Sequence, residues 1–336
     1  MKGSKYHPLL FTGGLDSSYR FCQLAQHKNV VIEPIYIINK RRPETEREII
    51  AQKNIYEYIV NHHKTKATIL PINRIPQEQL PKETNYQNIE KALGKYGLGW
   101  QFIDIGLYSM LKNELEICQE EVWEKFPKET EFFVKNNRTY MDTSLLNIEI
   151  QFLFKNLTFP IIGVTRKQMI SDLKKWGYYE IINKIWFCYQ NLNGKPCGIC
   201  DNCRKKITDG LSFLFDKEGQ KRFLIYRFIY TYHPYVSLFY YHEYLFNRKN
   251  CAYDVIPEGY ADKQDESKKR DWFFDKFRKL ENLSAREIKQ MIITANFNPA
   301  IYGLRKGEYW EKRLEEFRND EERKKKLTNY FKGINV

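Results

Sequence analysis

Apolar and amphipathic segments alternate in a regular order near the N-terminus, and this order constrains the fold more than any other feature. Short apolar or β-branched runs predict strands at 6–12, 30–38 and 66–72. Helical spacing of the apolar residues predicts helices at 16–26 and 44–61. Strands and helices that alternate in this way are typical of a doubly wound parallel sheet. The sequence therefore predicts an α/β fold.

Length and composition set the number of domains that the chain can form. Its 336 residues, 42% of them hydrophobic, are enough for one large α/β domain and a smaller appendage. We place the α/β domain at 1–185, a cysteine-rich segment at 186–210 and a mainly helical extension at 211–336. A helix is predicted over 101–126, and a late strand at 158–164 completes the sheet in this interpretation.

Neither a membrane span nor a secretory signal is expected. No apolar run approaches the roughly 18 residues that a membrane-spanning helix needs. The apolar stretch at 8–11 is too short for the core of a signal peptide and favours a buried strand. We therefore expect a cytoplasmic protein. Because that compartment is reducing, we do not expect the seven cysteines to form a framework of disulfide bonds.

The net charge of +13 is spread along the chain and is not gathered in a basic tail. Such a distribution suits an enzyme that handles anionic substrates. It also permits a nucleic-acid-binding surface, although the charge alone supports that partner only weakly.

A glycine-rich turn at 12–18 follows the first predicted strand and opens the first helix. Glycines let the backbone approach a phosphate closely, and the amides at a helix N-terminus favour an anion. The alternative is a tight turn with a serine or aspartate cap and no ligand. A carboxylate here can hold Mg²⁺, and hydroxyls can donate to phosphate. The candidate phosphate-binding residues are Thr12, Gly13, Gly14, Asp16, Ser17 and Ser18.

Two better-known phosphate-binding motifs are excluded at this turn. No GK[ST] follows it, so it is not a Walker P-loop, and it contains no G-x-G-x-x-G of the dinucleotide-binding type. The segment resembles instead the SGGxDS signature of the PP-loop ATP pyrophosphatases, with Thr12 in place of the first serine. The resemblance implies attack on the α-phosphorus of ATP, which gives an adenylated intermediate and pyrophosphate.

Four cysteines with the spacing C-x8-C-x2-C-x2-C predict a metal site. Four thiolates suit a closed, structural zinc ion, and the turn residues Pro196 and Gly198 would let the sulfurs converge. An iron–sulfur cluster and unliganded thiols are the alternatives. The predicted ligands are Cys188, Cys197, Cys200 and Cys203. The remaining cysteines, Cys22, Cys118 and Cys251, are interpreted as small buried side chains.

The glycine turn and the segment W-x-C-Y…C-G-x-C-D-x-C, which begins at Trp186, together resemble the 7-cyano-7-deazaguanine synthase (QueC) family over residues 1–210. The resemblance implies a PP-loop (HUP-like) fold and an ATP-dependent carbon–nitrogen ligase. Such an enzyme adenylates the carboxylate of 7-carboxy-7-deazaguanine and couples it to an amine. Long, diverged members are similar to proteins of antiviral defence operons, where the acceptor is thought to be a protein amine in place of ammonia.

The same resemblance implies roles for a few further residues. Lys167 matches the family's lysine near a helix start and would neutralise charge as pyrophosphate leaves, with Arg166 in reserve; a solvated surface lysine is the alternative. Tyr140 and Asp142 partly match the family's segment for the deazaguanine ring. Residues 36–42 and 80–105 depart from the family pattern, and 211–336 have no counterpart in its short members.

The extension carries a dense aromatic run at 213–246. We interpret it as packing core or a homodimer interface, in preference to a surface that stacks on bases. Ser284 and Glu287 predict a capping box, and one long helix is expected over about 307–331. Two alternative functions are retained for the whole chain. One is RNA modification by a PP-loop enzyme of the tRNA thiolase type, and the other is a non-catalytic, nucleotide-binding subunit of a defence complex.

Overall fold

The chain divides into two compact units, Met1–Phe187 and Cys188–Val336. The cysteine-rich segment thus shares a unit with the helical extension, and the division falls two residues beyond the predicted end of the α/β domain. The structure, a computed structural model, describes residues 4–39, 44–82, 85–112, 114–232, 236–246, 266–298, 301–302 and 308–334. Cys251, predicted to be buried, lies outside these ranges.

The first unit contains all the strands of the described chain. These are β1 (Lys5–Leu10), β2 (Val30–Ile38), β3 (Thr68–Ile69), β4 (Asn73–Pro76), β5 (Leu115–Glu116), β6 (Phe132–Lys135), β7 (Arg138–Met141) and β8 (Leu157–Thr158). Its helices are α1 (Leu15–Ala25), α2 (Thr45–Val60), α3 (Tyr86–Tyr96), α4 (Gln101–Lys112), α5 (Ile148–Phe154) and α6 (Arg166–Trp176).

Six of the strands form one sheet in the order β3–β2–β1–β5–β8, and β4 also pairs with β2. Every ladder in this sheet is parallel. Because β1 is central, its carboxyl end lies between those of β2 and β5, where ligands bind in open α/β sheets. Strands β6 and β7 form a separate antiparallel hairpin.

Helices cover both faces of the sheet. On one face, Phe11 contacts Phe21 of α1 edge-to-face at 5.1 Å, and Phe21 lies 6.4 Å from Tyr56 of α2. On the other face, buried residues of α3, α4 and α5 form one cluster with Ile35 and Leu115. The prediction of an α/β fold with a parallel sheet is therefore confirmed.

Two local predictions in this unit are wrong. The helix expected to continue from 101 to 126 ends at Lys112, and the chain turns into strand β5. The strand expected at 158–164 is reduced to β8, because Pro160 lacks the N–H that a longer ladder would need.

The second unit is helical in its described part. Its helices are α7 (Asp201–Lys206), α8 (Lys217–Tyr232), α9 (Val236–Phe246), α10 (Glu266–Glu281), α11 (Ala285–Thr294), α12 (Glu308–Asn319) and α13 (Glu321–Tyr330). Many aromatic residues of the 213–246 run, among them Phe223, Phe228 and Tyr241, are fully buried and pack in the core, whereas Phe213 and Tyr230 are about half exposed. The helices of the described ranges lack the length and apolar character that a membrane crossing requires.

The capping signals in this unit are borne out only in part. The capping box of Ser284 and Glu287 forms at the start of α11. The single helix expected over 307–331 is instead two helices, because the side chain of Asp320 caps a new helix by accepting from the Arg323 N–H at 2.8 Å.

Candidate nucleotide site and metal centre

The glycine turn follows β1 directly at the carboxyl edge of the sheet. The Phe11 N–H donates to the Ile35 carbonyl at 2.7 Å and keeps the chain on the β2 side after β1 has ended. Gly13 then adopts a φ of +77°, in the left-handed region that glycine favours. Its carbonyl accepts a hydrogen bond of 3.0 Å from the Trp186 N–H, so the turn is held from both sides.

Helix α1 begins without a side-chain cap. Gly14 is the N-cap residue and offers no side-chain oxygen. Within the described ranges, the N–H groups of Leu15, Asp16 and Ser17 have no hydrogen-bond acceptor. The alternative of a turn closed by its own serine or aspartate cap is therefore not what the structure contains. The exposed amides and the helix dipole together favour an anion at this point.

The hydroxyl groups of the turn are ordered among themselves. The side-chain oxygens of Thr12 and Ser17 lie 3.2 Å apart, and the Thr12 N–H donates to Ser17 Oγ at 3.3 Å. Ser18 is fully buried, and its Oγ has no partner in the described chain. One oxygen of Asp16, Oδ1, is likewise buried without a partner. Buried polar atoms of this kind are uncommon in proteins unless a ligand, an ion or water satisfies them.

Gly13 and Gly14 differ in the physical reason for which each position needs a glycine. A Cβ on Gly13 would lie 3.2 Å from Gln52 Cγ, and the positive φ disfavours any side chain there. A Cβ on Gly14 would meet nothing closer than Thr12 Oγ1 at 3.5 Å, and its φ of −81° is ordinary. Neither packing nor backbone conformation therefore requires glycine at position 14. Close approach of a ligand to the backbone would require it.

A cavity of about 180 Å³ opens beside the turn at the carboxyl ends of β1, β2 and β5. Thr12, Gly14, Asp16 and Ser17 line the side of the cavity that the turn forms. Tyr36, Trp100 and Phe102 add aromatic surface, as is usual for pockets that bind planar ligands. The other lining residues are Leu10, Ile37, Asn39, Gln101, Asp104, Ile105, Ile117, Cys118 and Gln119.

Asp104 forms a polar network in the wall of this cavity. It is buried, with 6% of its surface exposed, and Gln77 Nε2 donates to both of its carboxylate oxygens at 3.0 Å. Asn39 Nδ2 donates to Gln77 Oε1 at 2.9 Å. These side chains come from three separate elements, and sequence analysis did not select them. The position of Asn39 directly after β2 is the one signal that could have found it.

Cys118 also lines the cavity, although the sequence predicted an isolated buried thiol. It follows β5 at the carboxyl edge and is only partly buried, whereas Cys22 is fully buried as expected. Burial raises the pKa of the Cys118 thiol, and the negative charges of Glu116 and Asp16 raise it further. Cys118 is therefore a protonated thiol at neutral pH, beside the candidate phosphate site.

The residues assigned to leaving-group stabilisation lie at the start of α6. Thr165 caps this helix by accepting from the Gln168 N–H at 3.2 Å, whereas the Gln168 side chain binds Asp172, so only half of a capping box forms. Arg166 is ion-paired with Glu120. Lys167 is exposed and is not among the residues that line the cavity.

Tyr140 and Asp142, the predicted substrate contacts, line a second cavity of about 500 Å³ in the first unit, together with Phe133, Ile148 and Phe152. The structure does not bring them together with the glycine turn, whose cavity has a different set of lining residues.

A buried ionic cluster links β1, β5, β7 and α1. The carboxylate of Glu116 is 2.5 Å from His7 Nδ1, 2.8 Å from Arg20 Nε and 2.6 Å from Arg138 Nη1. Burial alone would raise the pKa of Glu116, but the His7 hydrogen bond and the Arg20 charge outweigh it and lower this pKa to about 2. Desolvation lowers the pKa of His7. The cluster fixes strand β5 against the strand that carries the turn.

The four predicted metal ligands converge in the second unit. Their sulfur atoms all lie within 4.8 Å of one another, and all four residues are buried. Cys197 Sγ and Cys203 Sγ are 3.8 Å apart, and a tetrahedral site with Zn–S bonds of about 2.3 Å has S···S separations of about 3.8 Å. Backbone N–H groups of Ile199 and Cys200 donate to Cys197 Sγ at 3.4 and 3.2 Å. The group can therefore hold a metal ion, and its geometry is compatible with zinc.

Close packing against α8 holds the loop that carries Cys197. Gly198 has a φ of +85°, and a Cβ there would lie 2.1 Å from the Gly219 carbonyl oxygen. Arg222 Nε donates to the Cys197 carbonyl at 2.8 Å. The loop, α7 and α8 thus form one packed element around the four sulfurs.

Comparison with known proteins assigns no family to the chain. No family model matches it, and no curated protein matches its sequence.

Proposed function

We propose that this protein is an ATP-dependent ligase that binds a nucleoside triphosphate at the glycine turn and adenylates a carboxylate substrate. The observation that carries the proposal is the glycine at position 14, which the fold itself does not require, beside three first-turn N–H groups without an acceptor in the described chain. Both features fit a phosphate chain that approaches the backbone closely. Adenylation needs no side-chain nucleophile, because the substrate carboxylate attacks the α-phosphorus and aligned backbone amides can stabilise the charge that develops there.

The residues at the turn also fit a divalent cation. The buried, unpartnered Oδ1 of Asp16 is the type of oxygen ligand that Mg²⁺ uses together with phosphate oxygens. Such an ion would offset the negative charge of the triphosphate. Thr12 and Ser17 would donate hydroxyl hydrogen bonds once their mutual contact opens.

For the substrate we propose a 7-deazaguanine that carries a carboxylate, as the motif resemblance implies. The aromatic wall of Tyr36, Trp100 and Phe102 can stack on a planar heterocycle, and the amide groups of Gln101 and Gln119 can bind its polar edge. Attack by ammonia on the acyl adenylate would release AMP and give an amide, which a second ATP-dependent activation would dehydrate to a nitrile. Attack by a protein amine would give a protein conjugate. A role in defence against bacteriophage follows from the resemblance alone.

The four-cysteine group is proposed to hold a structural zinc ion. Four thiolates leave no coordination position for substrate, so the ion would stabilise the second unit and take no part in catalysis. The charge of the thiolates would be offset in part by the backbone N–H groups directed at Cys197.

Pyrophosphate release from ATP in the presence of 7-carboxy-7-deazaguanine tests the proposal. We expect release that depends on the deazaguanine and that falls roughly 100-fold in Asp16→Asn. Asp275→Asn is the matched control, because this exposed carboxylate pairs only with neighbouring lysines on α10 in the described chain. Release that needs tRNA in place of the deazaguanine would favour RNA modification. No release with either would favour the non-catalytic subunit.

RNA modification of the thiolase type remains a second candidate because Cys118 lines the same cavity as Asp16. Its raised pKa weighs against a resting thiolate nucleophile. Cys118→Ser separates the two functions. Adenylation of a deazaguanine should persist in this variant, whereas sulfur transfer to RNA through Cys118 would be abolished.

A further inference from the structure

Among the described residues, the hairpin of β6 and β7 has one strand edge that pairs with no other strand. Its loop residues, Asn136 and Asn137, have φ values of 52° and 59°, as a type I′ turn requires. The Phe159 N–H donates to the Thr139 carbonyl at 2.8 Å, so β7 lies beside the chain that follows β8. Among the described strands, β6 pairs with β7 alone. Strand β6 is therefore a free edge.

The hydrogen-bonding groups of this edge are identified by the hairpin register. The Asp142 N–H donates to the Glu131 carbonyl at 2.8 Å, so residue 131 directs its backbone groups at β7. In an antiparallel pair this direction alternates along the strand. The N–H and C=O groups of Phe132 and Val134 therefore point away from β7 and are free to pair with another strand.

Apolar side chains surround the free edge. Val134 is 71% exposed, Ile148 is 70% exposed, and Phe133 and Phe152 are about half exposed. Phe133, Ile148 and Phe152 line one cavity of about 500 Å³. Edge strands of monomers are usually protected by charge, proline or a bulge, whereas the charged residues here, Glu131 and Lys135, lie only at the two ends of a strand whose middle carries exposed apolar residues. Exposed apolar side chains beside an open edge, here Phe133, Ile148 and Phe152 on one face and Val134 on the other, are typical of an interaction surface.

Two charged residues of β6 and its approach point to a second copy of the chain as the occupant. Glu131 and Lys135 are exposed, and neither has an ion-pair partner in the described part of the chain. If two β6 strands run antiparallel about a twofold axis at Phe133, Glu131 of each copy lies directly opposite Lys135 of the other. The edge is thus complementary to itself, as an isologous interface requires.

We propose that this protein forms a homodimer by antiparallel pairing of β6 with β6 of a second copy. In the register centred on Phe133, Phe132 and Val134 of one copy lie opposite Val134 and Phe132 of the other and exchange backbone hydrogen bonds. The two Phe133 rings face each other across the axis, and the Glu131 and Lys135 side chains form two ion pairs. The inference does not depend on the proposed enzymatic function.

A charge exchange tests this register. We expect sedimentation of the full chain over a dilution series to show a dimer. In Lys135→Glu, each Glu131 faces a second carboxylate, so this variant should be a monomer at concentrations where the unaltered protein is a dimer. The double variant Glu131→Lys, Lys135→Glu restores opposite charges and should restore the dimer. Thermal unfolding of the monomer should be unchanged, because both side chains are exposed.

A second variant and a control guard against indirect effects. Val134→Pro removes an outward N–H without removing a hydrogen bond of the hairpin, and it should also give a monomer. Leu111→Lys, at an exposed apolar residue outside the patch, should leave the dimer intact. The proposal is overturned if the protein stays monomeric. That holds also if a strand of a different protein is found to pair with β6. It is also overturned by a dimer that Lys135→Glu leaves unchanged.

Discussion

Gly13 lies so close to Gln52 that a Cβ at position 13 would come within 3.2 Å of the Gln52 Cγ, while its neighbour Gly14 has space for one. The two adjacent glycines therefore have different physical reasons for being present, and substitution separates them. Gly13→Ala should destabilise the first unit by about 1–2 kcal/mol, the cost of a left-handed alanine. Gly14→Ala should change stability by about 1 kcal/mol or less, because alanine is a poorer N-cap than glycine but also restricts the unfolded chain.

Although Gly14→Ala should have little effect on stability, it should weaken nucleotide binding strongly. Its added methyl group would occupy the space that a phosphate needs, so we expect ATP binding to weaken at least about tenfold, an effect of roughly 1.4 kcal/mol. Calorimetric titration and thermal unfolding of the same variant check the two halves of this prediction. Unchanged ATP affinity in a folded Gly14→Ala protein would remove the main support for the phosphate site.

Lys167, at the exposed start of α6, is expected to matter for turnover and not for stability. If its ammonium group neutralises the departing pyrophosphate, Lys167→Ala should lower kcat by about 10- to 100-fold and leave the melting temperature unchanged. Lys175, exposed near the end of the same helix, is the matched control. Equal rates for the two alanine variants would make Lys167 an ordinary solvated lysine.

Metal content can be measured without any substrate. We expect about one zinc ion per chain, and its removal by a chelator should destabilise the second unit by several kcal/mol, because the binding free energy of a structural ion adds directly to the free energy of folding. Cys200→Ser should lose the metal, whereas Cys118→Ser, outside the group, should retain it. Iron with a visible absorption band would indicate a cluster in place of zinc.

Acid stability should depend on Glu116. Its folded pKa of about 2 lies below the ordinary value of 4.5, so the stability it contributes is complete above pH 4.5 and is lost as the pH falls toward 2. The contribution is on the order of 3 kcal/mol. His7, whose pKa is lowered, adds a loss that begins as the pH falls below 6.5. Glu116→Gln should be less stable at neutral pH and should unfold with a shallower dependence between pH 4.5 and 2.

Local patterns allowed part of this structure to be predicted. The glycine turn, the first two strands and the four cysteines are each specified by residues close together in sequence, and the structure places them as expected. Strand β5 could not be found, because a strand of two residues carries no periodicity of its own. The hairpin could have been found, since Asn136 and Asn137 lie between two runs of β-forming residues.

The cavity wall was harder to predict than the turn. Asn39, Gln77 and Asp104 meet only because β2, the turn after β4 and α4 pack together, and no spacing in the sequence links them. The partial exposure of Cys118 to the cavity could not be predicted for the same reason. Its neighbours Ile117 and Leu115 are buried, but the carboxyl edge of the sheet opens at the residue where β5 ends.

The position at which the triphosphate binds tests the central claim most directly. A crystal structure with a non-hydrolysable ATP analogue and Mg²⁺ should show phosphate oxygens within hydrogen-bond distance of the N–H groups of Leu15, Asp16 and Ser17, next to the Gly14 backbone. Nucleotide bound elsewhere on the chain, with this turn left empty, would contradict the account.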